Sequence, residues 1–574
     1  MTSSQKTFPP GGEGQMTRRR LVQSATLTCA GALAGLSTTT HRALAAPQDA
    51  PAGHQMMAID ASTLIIMDNL PASWRTLDPA FFYEGNPSAA MYLIYDTLYY
   101  SPDPENPDDI QPMLALDMPL FSADWLTANI QLREDVTFHN SGNRFIASDV
   151  VFSWNRLKHA GFPGSFLATD YWSAIEAPDD FTLLLTLATP NPNLAAVMVA
   201  PMLSITEKAA VEAFGGTDAE PSSEEDSPEV LANLAAKEEI DRSSVGSGPF
   251  MVAKWDPNTE VILERNDDYW GNAPQFDRVI WRNTLDVNAQ LQSVQMGEAD
   301  IASFINVEEL DGLGDEVVII QGQSLALQYL ALNLQEDFGG AVANQDVRKA
   351  LSHAIDYQGI IDGILLGHGV RPATAIPLPL EGSVAGLDLA VTTDLRRAQA
   401  LWDASGVEEA TIQIDYASDA TGRGGVNLQS LAAKIQSDLE RIQGLRIQLA
   451  PMPNLQRGTL HRSGEFQISV ASWVPDFPGV DSFATPFFRT GASAARRVGY
   501  SDPEVDLLIE QAAAELDASI REQLYVEIQR RAIDACPYIV LYQPDDVKVA
   551  GLNVQGVQVH PVYQLQLRDA SKTV

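Results

Sequence analysis

Side chains that could perform catalysis are present in the sequence, but not at the spacings that enzyme sites require. There is no HExxH zinc motif, no Walker A phosphate loop, no GxSxG nucleophile elbow and no CxxC pair. Gly246-Ser247-Gly248 lacks the third glycine and the following helix of a dinucleotide-binding loop. With 75 Asp and Glu residues, two neighbouring carboxylates say little about a glycosidase pair. The sequence therefore predicts no enzyme.

Potential metal ligands are equally scattered. His139 stands in a turn with no second histidine or cysteine at ligand spacing, so we expect a surface residue rather than a ligand. The acidic stretch 220–228 lacks the Asp-x-Asp-x-Asp-Gly pattern of a calcium loop, which favours a solvated insertion. Cys536 lies among apolar residues and is expected to be a small buried hydrophobe. The sequence predicts neither a metal site nor a cofactor.

The length and net charge of the chain further restrict the class of protein to which it can belong. The chain has 574 residues, which suggests more than one domain, and 45% hydrophobic residues, which is enough to build packed cores. Its formal net charge is −38, and such a surface repels nucleic acid and anionic lipid headgroups. Solubility or adaptation to salty surroundings explains the acidity better than an acidic ligand-binding surface does. Cations and amine-bearing ligands would still experience a favourable field.

The N-terminus has the features of an export signal. Thr17-Arg18-Arg19-Arg20-Leu21-Val22 is typical of a twin-arginine signal, and a weakly apolar run follows over residues 25–36. Ala43-Leu44-Ala45 fits the small-x-small cleavage rule. We therefore expect export to the periplasm with cleavage near Ala45. The remaining sequence has no apolar stretch long enough to cross a bilayer, so we expect no direct membrane insertion.

The elements of residues 246–301 can be predicted from turn residues and apolar runs. Strands are expected at residues 250–254, 261–265 and 279–281, then a helix capped by Asp286 and ended at Gly297, then a strand from Ile301. Later strands and helices alternate, which indicates an α/β protein. The chain is expected to cross between two lobes near Leu330 and near Tyr538, giving a hinge and a cleft with the ligand at the strand ends.

Several motifs carry a family resemblance. "GSGPF", "LERNDDYWG", "LQSVQMGEADI" and "DVRKALSHAID" occur in this order. Together they resemble the extracytoplasmic solute-binding proteins of family 5, which are the periplasmic oligopeptide-, dipeptide- and nickel-binding receptors of ABC importers. The resemblance implies a two-lobed periplasmic-binding-protein fold with a hinge, a cleft and an extra small domain inserted in the first lobe. The expected segments are an export signal (1–45), lobe I (56–98), the small domain with the acidic insertion (99–243), lobe I again (244–327), lobe II (328–537) and the C-terminal return to lobe I (538–574).

The resemblance also suggests ligand-binding residues. The segment from Trp473 to Pro478 is similar to the family's W-x-x-D-Y-P motif, whose aspartate pairs with the ligand's α-ammonium in peptide-binding members; this implies that role for Asp476. The alternative is that Asp476 caps a loop. Dipeptide-binding relatives carry a carboxylate-binding arginine near the position of Arg423, which implies that role for Arg423. The alternative is that Arg423 is an exposed loop residue. Trp473 either stacks on the ligand or seals the cleft, and Tyr83 is a contact candidate.

Arg371, in Val370-Arg371-Pro372, is a further candidate at the cleft edge. The function that the resemblance implies is binding of short peptides or similar amine-bearing solutes, followed by delivery to ABC permease subunits, by a monomer. Alternatives within the fold are an oligosaccharide, an opine-like compound or a chelated metal such as nickel as ligand, or a secreted sensor or chaperone. A secreted hydrolase would need a nucleophile or a metal constellation, and the sequence offers neither.

Overall fold

A large mixed sheet organises the protein. The structure is a computed structural model that describes residues 61–70, 74–83, 88–222, 227–384 and 389–573. Its largest sheet has twelve strands. In spatial order ten of them are Leu445–Met452, Ala410–Ala417, Ile468–Trp473, Leu327–Leu332, Tyr538–Gly551, Ile301–Ala302, Thr63–Asp68, Arg278–Asn283, Glu260–Arg265 and Phe250–Asp256. Val317–Gln323 and Gly369–Val370 pair additionally with the long strand Tyr538–Gly551.

The elements predicted for residues 246–301 are confirmed. Phe250–Asp256 and Glu260–Arg265 form a hairpin, and Arg278–Asn283 continues the antiparallel order. The helix Val287–Gln295 begins at Asp286, whose carboxylate accepts a hydrogen bond from the Ala289 N–H at 3.0 Å. Local turn chemistry and periodicity suffice for the first three strands because each of them pairs with a neighbour close in sequence.

The long strand Tyr538–Gly551 joins two groups of strands. Its first half pairs with Leu327–Leu332, and its second half pairs with Val317–Gln323. Tyr542 packs among residues of the 330–470 region, whereas Ala550 packs among residues of the 64–301 region. One continuous strand therefore spans both halves of the sheet. The domain boundaries given above remain predictions.

Helices cover the sheet on both faces and build its cores. The α-helices are Ser88–Ile94, Ala147–His159, Phe166–Thr169, Leu194–Val197, Lys208–Ala213, Pro228–Ile240, Val287–Gln295, Glu336–Gly339, Gln345–Ala354, Tyr357–Gly363, Leu395–Ala404, Leu428–Leu439, Asn454–Ser463, Asp481–Phe488, Ser493–Val498, Pro503–Ala514 and Ala518–Ala535. The first core cluster is drawn from residues 64–301, Phe477 and residues 550–570. The second lies around residues 330–470 with residues 536–542, and the third packs residues 325–540 on the opposite face of the same strands.

A four-stranded antiparallel sheet lies within residues 99–243. Its order is Leu120–Phe121, Thr127–Gln131, Thr182–Thr186 and Ala174–Asp179. The helix Ala147–His159 beside it has Ile146 at its N-cap, which offers no side-chain bond. Asp149 compensates, because its carboxylate accepts a hydrogen bond from the Ile146 N–H at 3.0 Å.

The expectation that His139 is a surface residue is wrong. His139 is 2% exposed, and its two ring nitrogens lie 2.8 Å from the Ser244 hydroxyl and 2.8 Å from the Gly248 carbonyl oxygen. The backbone of residues 244–248 covers the turn that carries it. Burial lowers the His139 pKa, and the ring bridges two chain segments. The prediction that Cys536 is buried is confirmed.

The predicted export signal, residues 1–45, lies outside the described residues, as do residues 223–226 of the acidic stretch. Within the described ranges no helix combines the length and apolar character needed to cross a membrane.

Candidate functional site

The loop that carries Asp476 is fixed by the helix that follows it. The strand Ile468–Trp473 ends at this loop, and Asp481–Phe488 begins after it. Ser482 accepts a hydrogen bond from the Asp476 N–H on its hydroxyl at 2.8 Å and one from the Trp473 indole on its carbonyl oxygen at 3.1 Å. Asp476 is half-buried, and Trp473 is buried with its ring edge against Phe487. The Trp473 indole therefore ties the start of the loop to the first turn of the following helix.

The same loop reaches into a distant part of the chain. Phe477 is 2% exposed and packs in the first core cluster, where its ring stands perpendicular to that of Tyr171 at 6.0 Å. The Tyr171 hydroxyl donates a 2.8 Å hydrogen bond to the Asp481 carboxylate, 310 residues away in sequence. Asp481 also accepts a hydrogen bond from the Thr485 hydroxyl. An apolar and a polar contact therefore join the 473–488 segment to the small four-stranded region.

Negative charge concentrates around Tyr171. Burial raises the Tyr171 pKa well above its ordinary value, and the charges of Asp481, Asp170 and Asp476 raise it further. Burial also raises the pKa of Asp481, against the lowering effect of its hydrogen bonds. The charges of three carboxylates thus act on one half-buried side chain, an arrangement that favours a cationic ligand.

Tyr83 lies at the edge of the same neighbourhood. It is half-buried, and its ring meets Phe166 edge-on at 6.3 Å. Phe166 opens the short helix Phe166–Thr169, which leads directly to Asp170 and Tyr171. Tyr83 is thus linked to the Asp476 loop through residues 166–171, because Tyr171 contacts Phe477. The sequence analysis did not identify this segment.

Arg423 is anchored near the end of the strand that leads to Trp473. Its N–H donates to the Gln328 side-chain oxygen at 3.2 Å, and Gln328 also donates to the carbonyl oxygen of Ala471 at 2.8 Å. The Tyr542 hydroxyl donates to the Arg423 carbonyl oxygen at 3.2 Å. Burial lowers the Arg423 pKa, while the charge of Asp546 opposes that shift. Arg423 is half-buried rather than a fully exposed loop residue.

Arg371 occupies a different environment. Its guanidinium lies 3.2 Å from the centre of the Tyr357 ring and donates to the Val391 carbonyl oxygen at 2.7 Å. It lines a cavity of about 40 Å³ together with Cys536 and Tyr538. Burial lowers its pKa. The contacts of Arg371 with Tyr357 and Val391 do not include any of the other four candidates, and its place at the cleft edge remains a prediction.

Sequence reasoning missed Tyr171, Asp481 and Gln328. Asp481 lies three residues after the segment from Trp473 to Pro478, and this nearness was the one available signal. Tyr171 carried no signal, because its contact depends on how two distant segments meet. Among the described residues there is no group of three His, Cys, Asp or Glu side chains that could hold a metal ion.

Comparison of the sequence with models of known protein families identifies the family of this chain. The family "Bacterial extracellular solute-binding proteins, family 5 Middle" matches residues 109–495. The chain belongs to this family. The match covers both the four-stranded region and the loop that carries Asp476.

Characterised relatives of this family member have peptide-related names. It is 27% identical over 498 residues to the probable D,D-dipeptide-binding periplasmic protein DdpA of Escherichia coli K12, covering 85% of this chain and 90% of the relative. It is 26% identical over 478 residues to the di/tripeptide-binding protein 2 of Pseudomonas aeruginosa UCBPP-PA14, covering 79% and 84%.

Solved structures agree on the fold. The periplasmic binding protein DppA of Helicobacter pylori, in complex with the peptide STSA, superposes with a TM-score of 0.73 at 24% identity, covering 88% of this chain and 98% of that one. The dipeptide-binding protein of Pseudoalteromonas sp. SM9913, in complex with Met-Leu, gives 0.77 at 20% identity, covering 89% and 100%. The α/β fold of this family member is therefore that of the periplasmic binding proteins.

Proposed function

We propose that this family member binds short peptides or similar amine-bearing solutes outside the cytoplasm and delivers them, chemically unchanged, to the permease subunits of an ABC importer. The observation that carries the proposal is the half-buried Asp476 in a loop held by Ser482, next to the Asp481 carboxylate that accepts a hydrogen bond from Tyr171. Several relatives are named for the binding of dipeptides or tripeptides, which supports the same ligand class.

Asp476 is the residue we propose for the ligand's α-ammonium. A half-buried carboxylate gains more from a bound ammonium than an exposed one does, because the charge-assisted hydrogen bonds replace water in a site of lower polarity. Asp481 is engaged by Tyr171 and Thr485 and would hold the loop in place. This assigns recognition to Asp476 and positioning to Asp481.

The other candidates have supporting roles. The Trp473 indole is hydrogen-bonded to Ser482, and its ring would form part of the inner wall of the ligand cleft. Arg423, held by Gln328 and Tyr542, would present its guanidinium to the ligand's carboxylate. Tyr83 would border the ligand from the opposite side. Arg371 is assigned no role in this proposal, because its guanidinium is engaged by the Tyr357 ring and the Val391 carbonyl oxygen.

Native mass spectrometry of the protein purified without denaturation tests the ligand class. Bound masses that differ by amino-acid residue increments would support a tolerant peptide receptor. A single adduct of other chemistry, such as a sugar, an opine or a metal chelate, would keep the fold and overturn the ligand. If the protein is free of ligand, calorimetry against L,L-dipeptides, D,D-dipeptides and tripeptides gives the answer directly, and no binding to any of them would contradict the proposal.

Asp476→Asn is expected to lower peptide affinity by about 1.5–3 kcal/mol, roughly a tenfold or larger increase in Kd, because a neutral amide replaces the charged partner of the ammonium. Isothermal titration calorimetry measures the change, and thermal unfolding checks that the fold is kept. Asp315→Asn, in an exposed turn, is the matched control and should leave affinity unaltered. Equal affinities of wild type and Asp476→Asn would remove Asp476 from the site.

A further inference from the structure

A group of positive side chains lies between two helices of this strongly acidic chain. The helix Asn454–Ser463 carries Arg457 and His461 four residues apart, so both point from one face. The helix Ser493–Val498, which packs beside it, contributes Arg497. Arg457, His461 and Arg497 thus lie on two helices that are in contact. Burial lowers the His461 pKa well below its ordinary value, and the positive charges of Arg497, Arg457 and Arg462 lower it further.

Hydrogen-bonding capacity in this group is unused. His461 is 5% exposed, and its Nδ1 has no hydrogen-bond partner among the described residues. The buried Nε of Arg497 likewise has no partner in the described part of the chain. Arg457 makes two long contacts, 3.4 Å to the Ser469 hydroxyl and 3.3 Å to the Val470 carbonyl oxygen. Buried donors without acceptors are costly, so this group is suited to an acceptor from outside the chain.

Nearby negative charge compensates only in part. The charge of Asp415 acts on Arg457, but its carboxylate accepts a 2.6 Å hydrogen bond from the Ser469 hydroxyl. Burial raises the Asp415 pKa to about 6. Neither Arg457 nor Arg497 forms a salt bridge within the described ranges, although the chain has 75 acidic residues to offer. Half-buried cations without a paired anion are unfavourable.

We propose that Arg457, His461 and Arg497 form a binding site for a compact anion, namely an oxyanion or a carboxylate. The Arg457 guanidinium, the Arg497 Nε–H and the His461 ring would supply charge-assisted hydrogen bonds to its oxygens. The site shares no residue with the Asp476 group, and it does not rest on the peptide-binding proposal. The anion is either a free inorganic ion or the carboxylate of a bound solute, and both have the chemistry that these donors recognise.

Sulfate titration tests the site in the absence of peptide. Sodium sulfate, added at constant ionic strength against sodium chloride, is expected to raise the melting temperature of the wild type in a saturable way. Arg497→Gln and Arg457→Gln are expected to raise the half-saturating sulfate concentration roughly tenfold or more, since each loses a charge-assisted bond. Arg496→Gln, on the same helix but exposed, makes the same change of charge and should alter it less than about twofold.

A second titration distinguishes the two sources of the anion. If peptide binding measured by calorimetry weakens as sulfate increases, and weakens likewise in Arg497→Gln, the site receives the carboxylate of the solute. If peptide affinity is independent of sulfate while the sulfate shift persists, the site holds a free ion. The proposal is overturned if the Arg457, Arg497 and Arg496 variants respond to sulfate and peptide as the wild type does. Circular dichroism of each variant confirms that the comparison is made on folded protein.

Discussion

Single buried charges in this protein depend on their partners. Arg156 and Asp78 are 1% and 0% exposed, and two guanidinium nitrogens of Arg156 donate to the two carboxylate oxygens at 2.7 Å each. Asn233 accepts a third bond from the same guanidinium at 2.9 Å. The pair ties the loop at residues 76–83 to the helix Ala147–His159. Such a pair holds geometry more than it adds stability, since both charges have lost their water.

Arg156→Leu is expected to lower the free energy of unfolding by about 3–5 kcal/mol, because it leaves the Asp78 carboxylate buried without its cation. Urea denaturation measures the loss. The double variant Arg156→Leu/Asp78→Asn removes the stranded charge and should recover part of the stability. A double variant no more stable than Arg156→Leu would show that the stranded charge is not the cause.

Asp415 gives a pH dependence of known sign. Its folded pKa of about 6 lies above the unfolded value of 3.8, so the folded state binds the proton more tightly. Its contribution to stability is therefore greatest below about pH 4 and is lost as the pH rises through 6. Between pH 7.5 and pH 5 the wild type should gain about 1.4 kcal/mol of stability relative to Asp415→Asn, because the pH falls about one unit below the folded pKa.

Urea unfolding at the two pH values, at fixed salt concentration, measures this difference. Asp315→Asn, which removes a carboxylate from an exposed turn, is the control and should keep the wild-type pH dependence. An identical pH dependence in wild type and Asp415→Asn would contradict the shift.

At the scale of elements, the turn Arg423–Gly425 packs closely against Ile305 and Pro544, which belong to two other segments of the chain. Gly424 and Gly425 have φ values of 73° and 74°. A Cβ added at Gly425 would overlap the carbonyl oxygen of Ile305, and one at Gly424 would press on Pro544. The turn that presents Arg423 therefore requires glycine for two reasons, its left-handed backbone and its close approach to a neighbouring segment.

Gly425→Ala is expected to displace this turn and to weaken peptide binding several-fold, in addition to the left-handed strain of about 1–2 kcal/mol. Gly406→Ala is a matched control, because Gly406 has a φ of 76° with no atom within 4 Å of an added Cβ. Urea unfolding of both variants measures the cost of the left-handed strain. Calorimetry measures the effect of displacing the turn on peptide affinity. Equal losses of stability and unchanged affinity in both would show that the Ile305 contact does not matter.

At the scale of the whole molecule, like charges dominate. A net charge of −38 produces repulsion that favours expansion of the chain, and salt screens it over about 10 Å at 0.1 M. Residues such as Arg457 and Arg497 form local exceptions in this field.

Raising sodium chloride from about 0.02 M to 0.5 M is expected to increase the melting temperature at pH 7.5 through this screening. Differential scanning calorimetry measures it. The increase should shrink at pH 5, nearer the sequence pI of about 4.4, where fewer carboxylates are ionised. A melting temperature that falls with salt at pH 7.5 would show that attractive ion pairs outweigh the repulsion.

The sequence by itself determined the local elements and the family. The hairpin and helix of residues 246–301, the cap at Asp286 and the α/β class follow from turn residues, caps and apolar periodicity, which are written within short stretches of chain. Asp476 was identified as a candidate from a motif of six residues, Trp473 to Pro478. These features depend on neighbours in sequence, so sequence suffices to predict them.

Only the tertiary structure decided which distant segments meet. The Tyr171–Asp481 bond, the burial of Phe477 in a core formed mostly by residues 64–301, and the burial of His139 all join segments more than a hundred residues apart. The same is true of the strand order that lets one strand, Tyr538–Gly551, span both halves of the sheet. Side-chain type sets what a residue can bond, but the order of strands in the sheet sets what lies within reach.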